Sequence, residues 1–255
     1  MSGEAPFTRR RLLGAGALGA GGLLLAGCDR LNSAPGYRSL LQGAETLTMR
    51  SQRLLMGDAL AREFTEAEMS PLFRANGSTS VADRAYRAHL SQGFGQWQLR
   101  IDGLVRAPLA LPLAALQAMP QRSQITRHDC VEGWSAIGKW QGPQLGPILA
   151  RAGLLPAARY VVFHCADLLD GRPYYESIDL IDAFHPQTIL AWRMNDRPLD
   201  EAHGAPLRLR VERQLGYKQA KYVMRIELRA TLAGLYGGNG GLWEDSRDYP
   251  WYAGI

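Results

Sequence analysis

Cysteine is scarce in this chain. There are three in 255 residues, Cys28, Cys130 and Cys165, and none sits in a CxxC or CxxCH pair. That excludes the zinc-ribbon, thioredoxin-like and c-type haem signatures, and three thiols do not make a disulfide scaffold. Charge of one sign is lacking too. The formal net charge is +5, and because Arg9, Arg10, Arg11 and Glu4 lie in the first 27 residues, the remainder carries only +3. Basic side chains are spread among acidic ones, without a helix-turn-helix, zinc-finger or RNA-recognition pattern, so no nucleic-acid partner is expected. No internal repeat or heptad run is present. What the chain has is apolar material, 46% of its residues, enough for one sizeable core.

A membrane-spanning run is also missing. Residues 8–28 read TRRRLLGAGALGAGGLLLAGC, and the apolar part from Leu12 to Gly27 is 16 residues long and rich in Gly and Ala. A transmembrane helix needs roughly 20 predominantly apolar residues. Paired arginines, a modest apolar stretch and a small-residue site instead describe an export signal. Arg9-Arg10 resembles a twin-arginine signal, which implies the export machinery that carries folded, cofactor-loaded proteins. Leu25-Ala26-Gly27-Cys28 resembles a lipobox, which implies a periplasmic protein anchored by lipid at Cys28. The expected organisation is a signal over 1–27, a tether over 28–46, where Asn, Ser, Pro and Gly show no period, and a catalytic domain over 47–255.

Chemistry concentrates at residues 126–141, TRHDCVEGWSAIGKWQ. Cys130 lies between His128-Asp129 and Val131-Glu132-Gly133-Trp134, an odd setting for a core thiol. Only a thiolate is a good nucleophile or metal ligand, and the local charges oppose one another. A metal would settle the matter, because a coordinating thiol is deprotonated outright. The bland readings are a core cysteine or a disulfide with Cys165. A Cys/His thiol hydrolase using His128 or His164, and a metal-free lipid-anchored binding protein, are the rivals from other classes.

This block resembles the molybdenum-ligating segment of the sulfite oxidase superfamily, especially its exported bacterial branch, with Cys130 at the position of the metal ligand. Further blocks resemble the family in the expected order over roughly residues 50–255. By that resemblance Asn76, Thr79 and Ser80, in the polar loop SPLFRANGSTS, match cofactor-contacting positions, and Arg74 matches a cation near the substrate. Cys165 falls where relatives have a small hydroxyl residue beside the cofactor. Tyr174, with Tyr175 as its rival, matches the tyrosine beside the metal. His203, Arg208 and Lys221, with the backbone of Gln219 and Ala220, match the segment that holds the pterin phosphate. The resemblance implies Mo-molybdopterin as cofactor and a mixed, sheet-rich α+β fold. It also implies two-electron oxygen-atom transfer on a small oxyanion or sulfoxide, with electrons exchanged with a membrane haem subunit, since this chain has no haem motif.

The residues themselves support elements around these blocks. Leu54, Leu55, Leu60 and Phe64 suggest a helical run between Leu47 and Met69 despite Gly57, with Thr65 and Glu68 capping a second short turn. Trp97, Leu99 and Ile101 alternate as a strand up to Asp102-Gly103. Pro112 opens a short helix over Leu113–Met119, and Gly153 ends another over Leu145–Ala152. Strands are expected over Ile125–Asp129 and Arg159–Cys165. In the stretch from Leu207 to Glu212 the apolar residues alternate with charged ones, which reads Arg210 as part of a solvated face. The aromatic tail, Trp243, Tyr249, Trp251 and Tyr252, caps the core or frames a pocket, with the core reading preferred.

Overall fold

The structure, a computed structural model, describes residues 35–255. Arg9-Arg10 and Cys28 lie outside the described residues. The chain divides into two units, one ending at Leu55 and the other running from Met56 to Ile255.

The first unit contributes helix α1, Pro35–Met56. It begins well inside the stretch expected to be an irregular tether, because residues 40–47 (LLQGAETL) are mostly good helix formers and Pro35 occupies the first helical position. It also stops earlier than the apolar pattern suggested. Gly57 takes a left-handed φ of 47°, so Leu60 and Phe64 fall outside the helix. Among the described residues no helix is long and apolar enough to cross a membrane.

The second unit opens with irregular chain and a 3-10 turn, Glu66–Glu68, where the Glu68 carboxylate accepts from the Thr65 backbone N–H at 2.8 Å, as the Thr-x-x-Glu pattern predicts. Helix α2, Arg84–Ser91, starts at Asp83, whose carboxylate accepts from the Tyr86 N–H. Strand β1, Gln98–Gly103, buries Leu99 and Ile101 as the alternation requires and turns back into β2, Leu109–Pro112. Helix α3, Leu113–Ala118, leads to β3, Gln121–Asp129, which pairs along its whole length with β4, Ser135–Pro143. Helix α4, Leu145–Ala152, ends at Gly153 with φ 69°.

Strands β5, Tyr160–Leu169, and β6, Arg172–Asp179, form a long antiparallel pair with an irregularity after His164. Val161, Val162 and Phe163 are all fully buried. This continuous apolar run reflects a strand covered on both faces. Val161 and Phe163 join the main core, while Val162 and Tyr175 pack with Leu235 and Leu242 on the other side. Helix α5, Leu180–Ala183, and the short strands β7, Ile189–Ala191, β8, Arg193–Met194, and β9, Arg197–Pro198, follow. Strand β10, Arg208–Arg210, pairs with β7; β11, Val223–Arg229, and helix α6, Leu242–Arg247, complete the chain.

The sheets are ordered β2-β1-β11-β5-β6 and β3-β4-β8-β9, with β10-β7 between chain segments as a separate pair. Only β1 and β11 run parallel among these pairings. Helices and mixed sheets within one unit make this an α+β fold, as expected.

Candidate active site

Cys130 is the first residue of the loop joining β3 to β4. Its backbone N–H donates to the Trp134 carbonyl at 2.9 Å, and its own carbonyl accepts from the Gly133 N–H at 3.0 Å, so the loop fixes the thiol's direction. The thiol opens onto a cleft walled by Asn76 to Ser78, Asp167 and Leu169 of β5, Tyr174 of β6, the Gly216–Tyr217 turn, Gln219, Lys221 and Trp243 of α6. Four separate chain regions thus converge on one cysteine.

Of the residues anticipated from sequence, Asn76, Cys130, Tyr174, Gln219 and Lys221 line this cleft. Arg74, Thr79 and Ser80 do not. They are exposed on the same loop, whose inward side chains are Phe73, Asn76 and Ser78. Cys165 is half-buried in β5, in register with Val223. His203 lies off the cleft with both ring nitrogens engaged, Nδ1 with Asp200 at 2.7 Å and Nε2 with the Phe73 carbonyl at 3.2 Å. Its backbone carbonyl, however, accepts from Arg208 Nη1 at 3.1 Å. The backbone at 219–220 is partly consumed by the fold: Gln219 N–H donates to Gly216 O and the Ala220 carbonyl accepts from Leu209 N–H. It is the Gln219 side chain that faces the cleft.

Geometry separates the two tyrosines. Tyr174 borders the cleft, and its hydroxyl donates to the Tyr217 carbonyl at 2.8 Å. Tyr175 points through the sheet to the Asp245 carboxylate. Burial, then the Glu176 carboxylate, pushes the Tyr174 phenol well up, so it stays protonated.

The rivals fare differently. Cys130 and Cys165 are both free thiols. Burial pushes the Cys130 thiol up, with the Glu132 carboxylate adding to the effect against one backbone hydrogen bond that lowers it. An activated thiolate nucleophile needs the opposite. His128 and His164 are engaged with Arg210 and Glu227, at 3.1 and 2.9 Å.

Positive charge gathers behind the cleft. Arg208 is fully buried, 4.8 Å above the Trp140 ring, and its Nε and Nη2 have no hydrogen-bond partner. Burial, then Arg210, pulls it down to about 9, which leaves it charged at neutral pH. Lys221 is pulled down to about 7 by burial and by Arg208; its Nζ donates to the Ala202 carbonyl at 2.9 Å and to Ser78 O. Buried cations with unmet donors are costly unless an anion joins them, and guanidinium matches phosphate bidentately. This donor set therefore fits a phosphate-bearing group lying beside a thiol.

Arg210 corrects the solvated-face reading. It is fully buried, held by Glu212 through Nε at 2.9 Å and Nη2 at 2.6 Å, and lies 4.2 Å above Trp140. Both faces of β10 are covered, so the alternation separates apolar packing from a buried polar layer. Gln124, Thr126 and His128 on β3 belong to that layer and are nearly inaccessible. Their period-two polar pattern was the signal in the sequence. Trp243 is a cleft wall, following the pocket reading rather than the preferred core one, and stacks on Tyr249 at 5.7 Å.

Known proteins are similar to this chain. Residues 88–234 match the oxidoreductase molybdopterin binding domain. A protein of Azospira oryzae provisionally named protein-methionine-sulfoxide reductase subunit YedZ1 is 41% identical over 158 residues, 62% of this chain and 56% of that one. The chain thus matches little more than half the length of that relative. The protein-methionine-sulfoxide reductase catalytic subunit MsrP of Ralstonia nicotianae is 30% identical over 236 residues, covering 86% of this chain and 67% of its own length. The sulfane dehydrogenase SoxCD of Paracoccus pantotrophus superposes with a TM-score of 0.50 at 20% identity, over 68% of this chain and 46% of that one, a likeness of fold. The chain belongs to the oxidoreductase molybdopterin-binding family of the sulfite oxidase superfamily, whose cofactor is Mo-molybdopterin.

Proposed function

We propose that this enzyme reduces sulfoxides, with Cys130 as the protein ligand to molybdenum. The observation that carries the reading is a single loop-fixed thiol in a cleft backed by Lys221 and by the unsatisfied nitrogens of Arg208. Among the described residues no three His, Cys, Asp or Glu side chains could together hold a metal ion, so Cys130 suits a metal that brings its other ligands with it. Bound there, the cofactor supplies two-electron oxygen-atom transfer. The reaction consumes two electrons and two protons and turns a sulfoxide into a sulfide and water.

The chain's own groups have separable tasks. Lys221 and Arg208 hold the phosphate, the Asn76 and Gln219 amides present polar atoms to the cofactor, and Tyr174 walls the substrate side. His203 acts at one remove, its backbone carbonyl accepting from Arg208 Nη1. Sulfoxide reduction is preferred to sulfite-type oxidation because the Azospira oryzae and Ralstonia nicotianae relatives both carry methionine-sulfoxide reductase names. Electrons arrive from a membrane haem subunit, and the enzyme works in the periplasm after twin-arginine export, tethered through Cys28.

The test is turnover of protein from a molybdenum-replete host, with a reduced viologen dye as electron donor. Methionine sulfoxide should be consumed with one sulfide formed per two electrons. Turnover of sulfite with an oxidising dye, and none of sulfoxide, would reverse the assigned direction.

A further inference from the structure

One wall of the cleft has no part in holding phosphate or thiol. Trp243 shares the cleft with Cys130 but comes from α6, beyond the residues 88–234 that match the family. It belongs to a row of aromatic rings. Trp243 stacks on Tyr249 at 5.7 Å with an interplanar angle of 19°, and Tyr249 meets Tyr217, itself a cleft residue, edge-on at 5.1 Å. Trp243 and Leu169 also border an adjoining recess with Asp170, Arg172 and Arg247, so these two apolar side chains divide the cleft from a charged hollow.

A helix of six residues does not hold a tryptophan in place by itself, because so few backbone hydrogen bonds barely repay its nucleation. A buried ion cluster fixes this one. Lys218, in the turn Gly216–Lys218, has a fully buried ammonium that donates to Glu176 of β6 and, at 2.6 Å, to Glu244 of α6, the residue next to Trp243. Gly241 lets both carboxylates close on the start of α6, since a Cβ there would collide with each of them. Leu242, the other neighbour of Trp243 in sequence, is buried with Val162, Tyr175 and Leu235. Beyond α6 the chain is tied back by Trp251 Nε1, which donates to Ser177 Oγ at 2.9 Å. Taking three charged groups out of water adds little to stability, so what the cluster secures is position.

We propose that Trp243 determines which sulfoxides this site accepts: its indole packs on the small alkyl group of the substrate and closes the way into the adjoining recess. Lys218, Glu176 and Glu244 are positioning residues that hold the indole there. An aromatic ring also suits the sulfur of the sulfide product, which is soft and polarizable. The inference rests on the sulfoxide reading and adds to it a limit on substrate size.

The test sets dimethyl sulfoxide against methyl p-tolyl sulfoxide, with holoenzyme and a reduced viologen dye. Trp243→Ala should raise KM for dimethyl sulfoxide roughly tenfold with kcat within about threefold of native, and should shift the ratio of the two kcat/KM values roughly tenfold toward the aryl substrate. Trp243→Phe should keep that ratio within about threefold of native. The native ratio in Trp243→Ala would overturn the proposal; should that variant not fold, Trp243→Leu carries the same expectation. A double-mutant cycle reads the positioning role. Glu244→Leu leaves Lys218 and Glu176 as a neutral pair, so it should fold and shift the ratio in the same direction. Added to Trp243→Ala, it should change the ratio by less than about twofold more, because both act through one wall. No shift in Glu244→Leu, or additive shifts, would overturn the positioning role. Native holoenzyme that turns over neither sulfoxide would instead sink the sulfoxide reading, and this inference with it.

Discussion

At Lys221 burial and charge conflict within a single side chain. Its pKa falls from an ordinary 10.5 to about 7, chiefly through burial and then through Arg208. The depressed value means that the cofactor-free protein carries the charge below pH 7 and loses it above. An anion prefers the protonated form, so affinity falls as pH rises through 7. Phosphate binding to cofactor-free protein should therefore weaken roughly fivefold more between pH 7 and pH 8 in the native protein than in Lys221→Arg, whose charge persists. Calorimetry at the two pH values checks this, and parallel curves for the two proteins would mean that Lys221 keeps its proton throughout. The resemblance to the family marked Lys221, Cys130 and Tyr174, because each stands in a block that matches one of its segments. The sequence pattern misread Arg210 because alternation says which residues share a face and not whether that face is wet. Arg74, Thr79 and Ser80 were placed by block position, and a loop's block position does not fix which of its side chains turn inward.

Elements were legible where local chemistry decides them. Leu145–Ala152 with Gly153, the turn capped by Thr65 and Glu68, and the alternating strand before Gly103 all form as their residues require. Elements set by tertiary partners were not. The two-residue strands β8 and β9 have no sequence period to show, and β10 is defined by its pairing with β7 inside the molecule. Gly142 in β4 records a close approach that only the fold reveals, since a Cβ there would sit 2.0 Å from the Leu190 backbone oxygen. Gly142→Ala must push β4 away from β7 and should cost about 1–3 kcal/mol. Urea unfolding reads the effect. A variant as stable as native would show that β4 and β7 have room between them.

At the scale of the whole molecule, the family was readable because several blocks stand in order around one cysteine, while the substrate was not, because pocket walls such as Trp243 come from distant segments. Export and anchoring belong to residues outside the described structure and rest on Arg9-Arg10 and Cys28. Cys28→Ala should move the mature protein from the membrane fraction to the soluble periplasmic one, and retention at the membrane would point to a different anchor. The account as a whole depends on the thiol at the head of the β3–β4 loop. Molybdenum K-edge absorption of native protein, Cys130→Ser and Cys165→Ser tests it most directly. The account predicts one fewer sulfur at the metal and no turnover in Cys130→Ser, with the native spectrum in Cys165→Ser; an unchanged sulfur count in Cys130→Ser would contradict it.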